Sequence, residues 1–168
     1  MELVQITLMA EKHKWLQRFR KNYAGSVRSN NPSRIYREEL SRFFVAKSDD
    51  AEVGFIQLTN YSPWLKSSTQ PNFWSAGMAY VKPPYRQKGV LRYMLTECIE
   101  KHQVGAAYME SERLITNSDY YRSLGFCRAH LVDDNYFVYL IHSQYEAAYL
   151  NRMETDEAAN DSSFTVSA

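Results

Sequence analysis

The sequence has little of several residue types that mark special classes of protein. Its 168 residues include two cysteines, Cys98 and Cys127, too few for a disulfide framework, so we expect a reducing cytoplasm. No uncharged apolar run approaches the ~20 residues that a membrane helix needs, so no membrane partner is expected. The start of the chain, Met1-Glu2-Leu3-Val4, lacks a signal-peptide pattern. Six glycines and five prolines are too few for a collagen-like or low-complexity chain.

The chain also has little net charge, +1, but the charge is unevenly spread. Residues 10–42 carry nine Lys or Arg side chains against three acids, whereas the end of the chain is acidic and rich in Ser and Ala. The basic region predicts either the solvated faces of helices or contact with an anionic partner. Length and composition indicate one domain over residues 1–153, followed by a flexible acidic tail over 154–168.

Hydrophobic periodicity predicts a layered α/β (α+β) domain with a mostly antiparallel start and a βαβ crossover in the middle. Alternation or short apolar runs predict strands at residues 2–8, 43–46, 53–58, 73–81, 104–109, 126–131 and 136–141. Helical spacing predicts helices at 10–22, 33–40, 88–102 and 117–123 and an amphipathic segment at 143–152. Polar loops are expected at 59–72 and 133–135.

The segment from Val81 to Arg92 is typical of an anion site. It runs from a strand through two prolines to the start of a helix, where the first backbone N–H groups have no partner inside the helix. Gly89 would let the backbone approach an anion closely, and Arg86, Lys88 and Arg92 add positive charge. Neither Gly-x-Gly-x-x-Gly nor Gly-x-x-x-x-Gly-Lys-Ser/Thr is present, which argues against a dinucleotide oxidoreductase and a P-loop ATPase.

Two motifs resemble a known family. Val81-x-Pro83-x-Tyr85-Arg86-x-x-Gly89 is similar to motif A of the GNAT superfamily of N-acetyltransferases, whose usual form is Arg/Gln-x-x-Gly-x-Gly/Ala. Tyr121-Arg122-Ser123-Leu124-Gly125-Phe126 resembles that superfamily's Tyr-x-x-x-Gly-Phe motif. The order of elements agrees from about residue 2 to about 142. The resemblance implies a mixed sheet of about seven strands, flanked by helices and splayed between the fourth and fifth strands.

The resemblance also implies an enzyme that moves an acetyl group from acetyl-CoA to a primary amine, by direct transfer in a ternary complex. Backbone N–H groups of residues 87–92 would bind the diphosphate, and the end of the preceding strand would pair with the pantetheine arm. The implied acetyl-CoA site consists of Ala79, Tyr80, Val81, Arg86, Gln87, Lys88, Gly89, Val90, Leu91, Arg92 and Asn117.

Two residues are candidates for the chemistry. By resemblance, Tyr121 protonates or holds the departing thiolate. Glu110 ends a strand that should border the cleft, where it could accept the amine proton, and a water chain could serve instead. The histidines His13, His102, His130 and His142 show no metal-ligand spacing, so no metal is expected. Aromatic residues near the loop at 59–72, among them Tyr61, Trp64, Phe73 and Trp74, could belong to the core or to an acceptor pocket.

Two departures from the family pattern support an alternative, a GNAT-like module that binds CoA or a protein without catalysis. Leu91 stands where the family prefers Gly or Ala, although its spacing from Leu95 favours a position facing the core. Leu114 stands where some members have Asn, seven residues before the tyrosine, and Asn117 is the nearest substitute. The acceptor, a small molecule or a protein, stays open, as do a nucleic-acid-linked acceptor and a homodimer.

Overall fold

The computed structural model describes residues 1–22, 37–60, 73–132, 137–151 and 153–154. Within this part, seven strands form one mixed sheet: β1 (Glu2–Ile6), β2 (Ser41–Ser48), β3 (Ala51–Asn60), β4 (Trp74–Val81), β5 (Val104–Glu110), β6 (Phe126–Val132) and β7 (Phe137–His142). The helices are α1 (Met9–Asn22), α2 (Val90–Lys101) and α3 (Ser111–Arg122), and residues 146–151 are also helical. The predicted fold class is confirmed.

The strand order is β1-β2-β3-β4-β5-β7-β6, in which β4 and β5 are parallel and the other neighbours are antiparallel. The register of β4 and β5 pairs Trp74 with Val104 and extends to Ala76 opposite Ala107. Beyond that point β4 follows β3 as far as Val81, while β5 follows β7 as far as Glu110. The two strands therefore splay toward their carboxyl ends, as the resemblance implied.

Helices cover both faces of this sheet. On one face, here the α1 face, Trp15, Leu16 and Phe19 of α1 pack with Phe55 of β3 and Tyr80 of β4. These three helix residues recur at i, i+1 and i+4, which is the spacing that gives a helix one apolar side.

On the other face, here the α2 face, the buried side of α2 packs against the middle of the sheet. Met94, Leu95 and Cys98 of α2 share one cluster with Ile56 and Ala76. The exposed fractions of these five residues are at most 3%, so this cluster is part of the buried core of the domain. Cys98 is therefore a core residue, and burial raises the pKa of its thiol to about 12.

Several predicted boundaries differ from the structure. The helix expected at 117–123 begins at Ser111, directly after β5. It has no fully buried residue among its twelve, so its sequence lacks the apolar periodicity that would mark its start. The short helix expected at 33–40 lies largely outside the described residues, and residues 38–40 form a turn.

The loop expected at 59–72 begins later, because residues 59 and 60 are paired in β3. Residues 61–72, the connection expected at 133–135 and residues 155–168 of the expected tail lie outside the described residues. The segment expected at 143–152 forms a 3₁₀ turn, Ser143–Tyr145, followed by the helical residues 146–151. No described helix combines the length and apolar composition that crossing a membrane requires.

Candidate active site

The turn between β4 and α2 is built by proline and by two residues with positive φ. Pro83 to Tyr85 form one 3₁₀ turn, in which Tyr85 N donates to Lys82 O at 2.9 Å and Arg86 N donates to Pro83 O at 3.2 Å. Gln87 has φ +58° and Gly89 has φ +79°, the left-handed region that glycine adopts most easily. The chain thereby reverses and enters α2 with its main chain exposed.

The start of α2 presents backbone donors. Among the described residues, none of the N–H groups of residues 87–92 donates to a backbone carbonyl outside its own helix. A Cβ added to Gly89 would meet nothing within 4 Å, so the surface beside these donors is open. Aligned donors and the positive end of the helix dipole favour an anion here.

The side chains around this turn lie in different places. Arg86 is exposed, and its Nε donates to Val81 O at 3.0 Å, while Lys88 Nζ lies 5.9 Å from the centre of the Tyr85 ring. Val90 is buried, and Leu91 is half-buried against the central cluster. The Leu91 side chain therefore packs with the core.

The cleft between β4 and β5 has two chemically different faces. Ala79 and Val81 pack with the central cluster on the α2 face, whereas Tyr80, 6% exposed, packs against α1. In β5, Met109 packs against the same cluster as Tyr121, on the α2 face. Strand alternation then puts Tyr108 and Glu110 on the α1 face.

A β-bulge lies where β4 separates from β5. Ile56 is opposite Ala79 and Leu58 is opposite Ala76, so Gly77 and Met78 of β4 face the single residue Gln57 of β3. A bulge leaves one residue outside the regular ladder of the two strands. In the sequence, the signal for this bulge is the glycine inside an otherwise apolar strand.

Tyr121 lies on the α2 face in the last turn of α3. Its ring contacts Phe126 edge-on at 5.9 Å between centroids and Tyr120 at 5.4 Å. Burial first, and then the neighbouring Tyr120, raise the pKa of Tyr121 to about 12. The phenol therefore keeps its proton throughout the neutral range and can donate a hydrogen bond.

A histidine fixes the turn that follows Tyr121. Gly125, at φ +94°, leaves 2.5 Å between an added Cβ and Nε2 of His142, so a side chain at this position would clash. His142 Nε2 lies 3.1 Å from Leu124 O, and Gln144 N donates to His142 Nδ1 at 3.2 Å. Burial lowers the pKa of His142. The neutral ring, protonated at Nε2, satisfies both contacts.

Glu110 sits at the carboxyl end of β5 with 16% of its side chain exposed. Its Oε2 lies 3.5 Å from Arg113 Nε, and its cross-strand partner is Phe137. The Phe137 ring stacks on Tyr108 at 5.0 Å, and Tyr108 meets Tyr139 at 4.6 Å. A carboxylate beside aromatic rings suits a cationic amine better than an anionic acceptor.

The other residues singled out from the sequence have different positions. Asn117 is exposed one turn before Tyr121, and its side-chain amide donates to Arg113 O at 2.9 Å. Phe73 and Trp74 are core residues, while Tyr61 and Trp64 lie outside the described part. Cys127 is exposed, and partial burial raises the pKa of its thiol. The described residues contain no group of three or more His, Cys, Asp or Glu that could hold a metal.

Some of the basic side chains of residues 10–42 are paired or stacked within the domain. Lys12 is 2% exposed, and its Nζ lies 3.3 Å from Glu38 Oε1. Lys14 Nζ lies 3.1 Å from Glu52 Oε2. Arg42 stacks over Trp74 at 4.4 Å from the ring centre. These three cations therefore have partners within the domain, whereas Arg28 and Arg34 lie outside the described residues.

Comparison with known proteins identifies the class. The family described as Acetyltransferase (GNAT) domain matches residues 39–128, more than half of the chain. The chain belongs to the GNAT acetyltransferase family, which confirms the resemblance. No curated protein matches the chain significantly in sequence.

Solved structures share the fold at low identity. The aminoglycoside N-acetyltransferase AAC(6')-Iy in complex with CoA has a TM-score of 0.57 and 15% identity over 79% of this chain and 91% of its own. A mutant of the spermidine N-acetyltransferase SpeG from Vibrio cholerae has a TM-score of 0.57 and 13% identity over 87% and 98%. The PaiA N-acetyltransferase from Thermoplasma acidophilum with coenzyme A has a TM-score of 0.50 and 19% identity over 84% and 99%.

Proposed function

We propose that this protein transfers an acetyl group from acetyl-CoA to a primary amine within a ternary complex. The observation that carries the proposal is the splay of β4 and β5, which has an anion-binding turn and Tyr121 on the same face of the sheet. A carrier whose diphosphate bound at the turn could extend along β4 beyond the end of its pairing with β5. Its thioester would then reach the region between the bulge and Tyr121.

The diphosphate would be held mainly by main chain. Backbone N–H groups of residues 87–92 supply oriented donors, and Arg86 and Lys88 supply charge that need not be ordered. The main chain of Ala79 to Val81 would pair with the amide groups of the pantetheine arm, as in strand addition. The CoA complexes among the structural neighbours agree with this carrier.

The bulge would stabilise the developing oxyanion. As the amine attacks, the thioester oxygen gains negative charge, and a fixed N–H at Gly77 in the bulge could donate to it without reorganisation. A donor in the main chain is held by the sheet on both sides of the bulge. Its placement does not depend on a side-chain rotamer.

Tyr121 would stabilise the leaving thiolate by a hydrogen bond. Since its pKa is about 12, the phenol holds its proton more tightly than a thiol of pKa ~8.5 does. Complete proton transfer to the thiolate is then uphill, so the hydrogen bond is the contribution expected of Tyr121.

The acceptor amine would approach from the α1 face, opposite the carrier. Glu110 lies on that face and could take the amine proton, directly or through water. Aminoglycosides and spermidine, the acceptors in the names of two neighbours, are amines. A primary amine carried by a small molecule or a protein is the acceptor class we propose. A cytoplasmic location and a homodimer stay predictions.

Replacement of Tyr121 by Phe tests this function. With acetyl-CoA and a panel of primary amines, kcat for Tyr121→Phe should fall by about 10–100-fold, because one hydrogen bond to the leaving group is lost. The Kd of acetyl-CoA by titration calorimetry should change less than about threefold. Because Tyr121 stays protonated, the wild-type kcat should not fall through its ionisation below about pH 11.

Tyr145→Phe is the matched control. Tyr145 packs against Phe73 and Gly105 at the far end of β5 and should keep the wild-type kcat. Equal turnover in wild type and Tyr121→Phe would remove the thiolate role. Binding of acetyl-CoA without transfer to any amine in the panel would favour a CoA-binding module.

A further inference from the structure

Arg92 connects the first turn of α2 to the end of the helix that carries Tyr121. Its Nη2 donates to Ser123 Oγ at 2.8 Å, although the two residues are 31 positions apart. Ser123 is the residue that caps α3, and its own hydroxyl donates to Tyr120 O at 2.6 Å. The guanidinium therefore completes a chain of hydrogen bonds that ends on the last turn of α3.

A second contact joins the same elements through the rings. The Arg92 guanidinium carbon lies 5.4 Å from the centre of the Tyr120 ring, within range of a cation–π interaction. The Tyr120 ring meets Tyr121 edge-on at 5.4 Å between centroids. One arginine thus contacts both the cap of α3 and the residue next to Tyr121.

Helix dipoles favour the Arg92 guanidinium at the carboxyl end of α3 over a position in the anion site at the start of α2. A cation is stabilised at a helix carboxyl terminus and opposed at an amino terminus. The Arg92 backbone lies in the first turn of α2, but its guanidinium lies at the carboxyl end of α3, where its charge is favourable. Arg86 and Lys88 are exposed beside the turn and supply positive charge there.

We propose that Arg92 is a positioning residue for Tyr121, acting through Ser123 and Tyr120. Its backbone N–H remains at the diphosphate site, but its side chain sets the turnover rather than the affinity for acetyl-CoA. The turnover part of this inference rests on the proposed function. The contact also links occupancy of the α2 turn to the order of the last turn of α3.

The test compares Arg92→Met with Ser123→Ala, which removes the acceptor without changing charge. In each variant kcat should fall about tenfold, as expected for one hydrogen bond to a charged group, and the Kd of acetyl-CoA should change less than about threefold. The double variant should lose clearly less than the two single losses combined, because both substitutions remove the shared Arg92–Ser123 hydrogen bond. Ser123→Thr keeps the hydroxyl and should keep most of the wild-type kcat.

A loss of affinity for acetyl-CoA without a loss of turnover would overturn the proposal. A tenfold or greater rise in the Kd of acetyl-CoA for Arg92→Met, at unchanged kcat, would assign the side chain to the carrier. Full additivity of the two substitutions would mean that they act separately, which also contradicts the inference.

Amide hydrogen exchange of the segment 117–125 gives a readout that needs no turnover. Exchange should be faster in Arg92→Met and Ser123→Ala than in wild type, because the last turn of α3 loses its tether. Bound CoA should slow exchange there in wild type, and less in Arg92→Met. Unchanged exchange in both variants would overturn the positioning role, whereas absence of transfer by wild type would instead refute the proposed function.

Discussion

The two faces of the cleft between β4 and β5 are built from different parts of the chain. On the α2 face, the groups that a ligand could contact are the backbone donors of the turn before α2 and the phenol of Tyr121 on α3. On the α1 face they are side chains, with Glu110 beside the stacked rings of Tyr108 and Phe137. The positions of backbone hydrogen-bond donors depend on the course of the chain more than on residue identity. The α2 face therefore suits a carrier of fixed chemical structure, such as the proposed acetyl-CoA. The α1 face can change with each substitution, which suits an acceptor particular to this protein.

The largest effect should come from Gly89→Glu on the α2 face. A Cβ at this position meets no neighbour within 4 Å, so the fold should survive with a cost of about 1–2 kcal/mol for positive φ. The carboxylate would lie beside the donors of residues 87–92 and repel a diphosphate. Calorimetric titration should show acetyl-CoA affinity reduced by more than about 100-fold.

Gly89→Asn separates charge from backbone strain, because Asn tolerates the left-handed conformation and is neutral. Its loss of affinity should be less than about tenfold. If Gly89→Glu bound acetyl-CoA as wild type does, the diphosphate would have to lie elsewhere.

A smaller effect, confined to the α1 face, is expected for Glu110→Gln. The amide cannot take a proton from the amine, so kcat/KM for the acceptor should fall about tenfold at neutral pH while the Kd of acetyl-CoA stays unchanged. Glu112→Gln, an exposed carboxylate in the first turn of α3, is the matched control and should resemble wild type. Unchanged activity of Glu110→Gln would leave a water chain as the path of the proton.

The smallest effect concerns stability in acid, and a histidine on each face contributes. Burial lowers the pKa of His142 on the α2 face and of His130, which pairs with Tyr149, on the α1 face. These histidines therefore bind protons more readily in the unfolded chain than in the folded one. Their protonation does not reduce the free energy of unfolding above about pH 6.5, and the free energy decreases as the pH falls through the pKa values of the two histidines in the folded protein. The slope cannot exceed about 1.4 kcal/mol per pH unit for each histidine.

Urea unfolding at pH 7.5 and pH 5.5 measures this difference. His142→Asn should weaken the dependence on pH, since Asn can accept from Gln144 N but does not titrate. The same pH dependence in wild type and His142→Asn would mean that the folded environment of His142 does not lower its pKa.

Local patterns predicted the elements that pack strongly. The apolar spacing of α1 and α2 follows directly from burial of one side of each helix, and the structure confirms both helices. The first strand is also confirmed, although Leu3 and Ile6 of β1 pack on opposite faces of the sheet. The start of α3 was wrong because that helix buries no residue fully, so its sequence carries no apolar period. The bulge at Gly77 and Met78 could have been suspected from a glycine inside a strand, but its register depends on β3.

Local sequence is sufficient to predict most strands and helices, the proline and glycine turn before α2, and the two motifs that resemble the family. Each depends on neighbours along the chain, through φ preference, hydrogen-bond capacity and apolar period. Only the folded domain brings Arg92 to Ser123, places His142 against Gly125, and puts Glu110 and Tyr121 on opposite faces of the sheet. Those contacts join residues distant in sequence, and no local preference encodes them, because they form only when the sheet fixes the register of its strands.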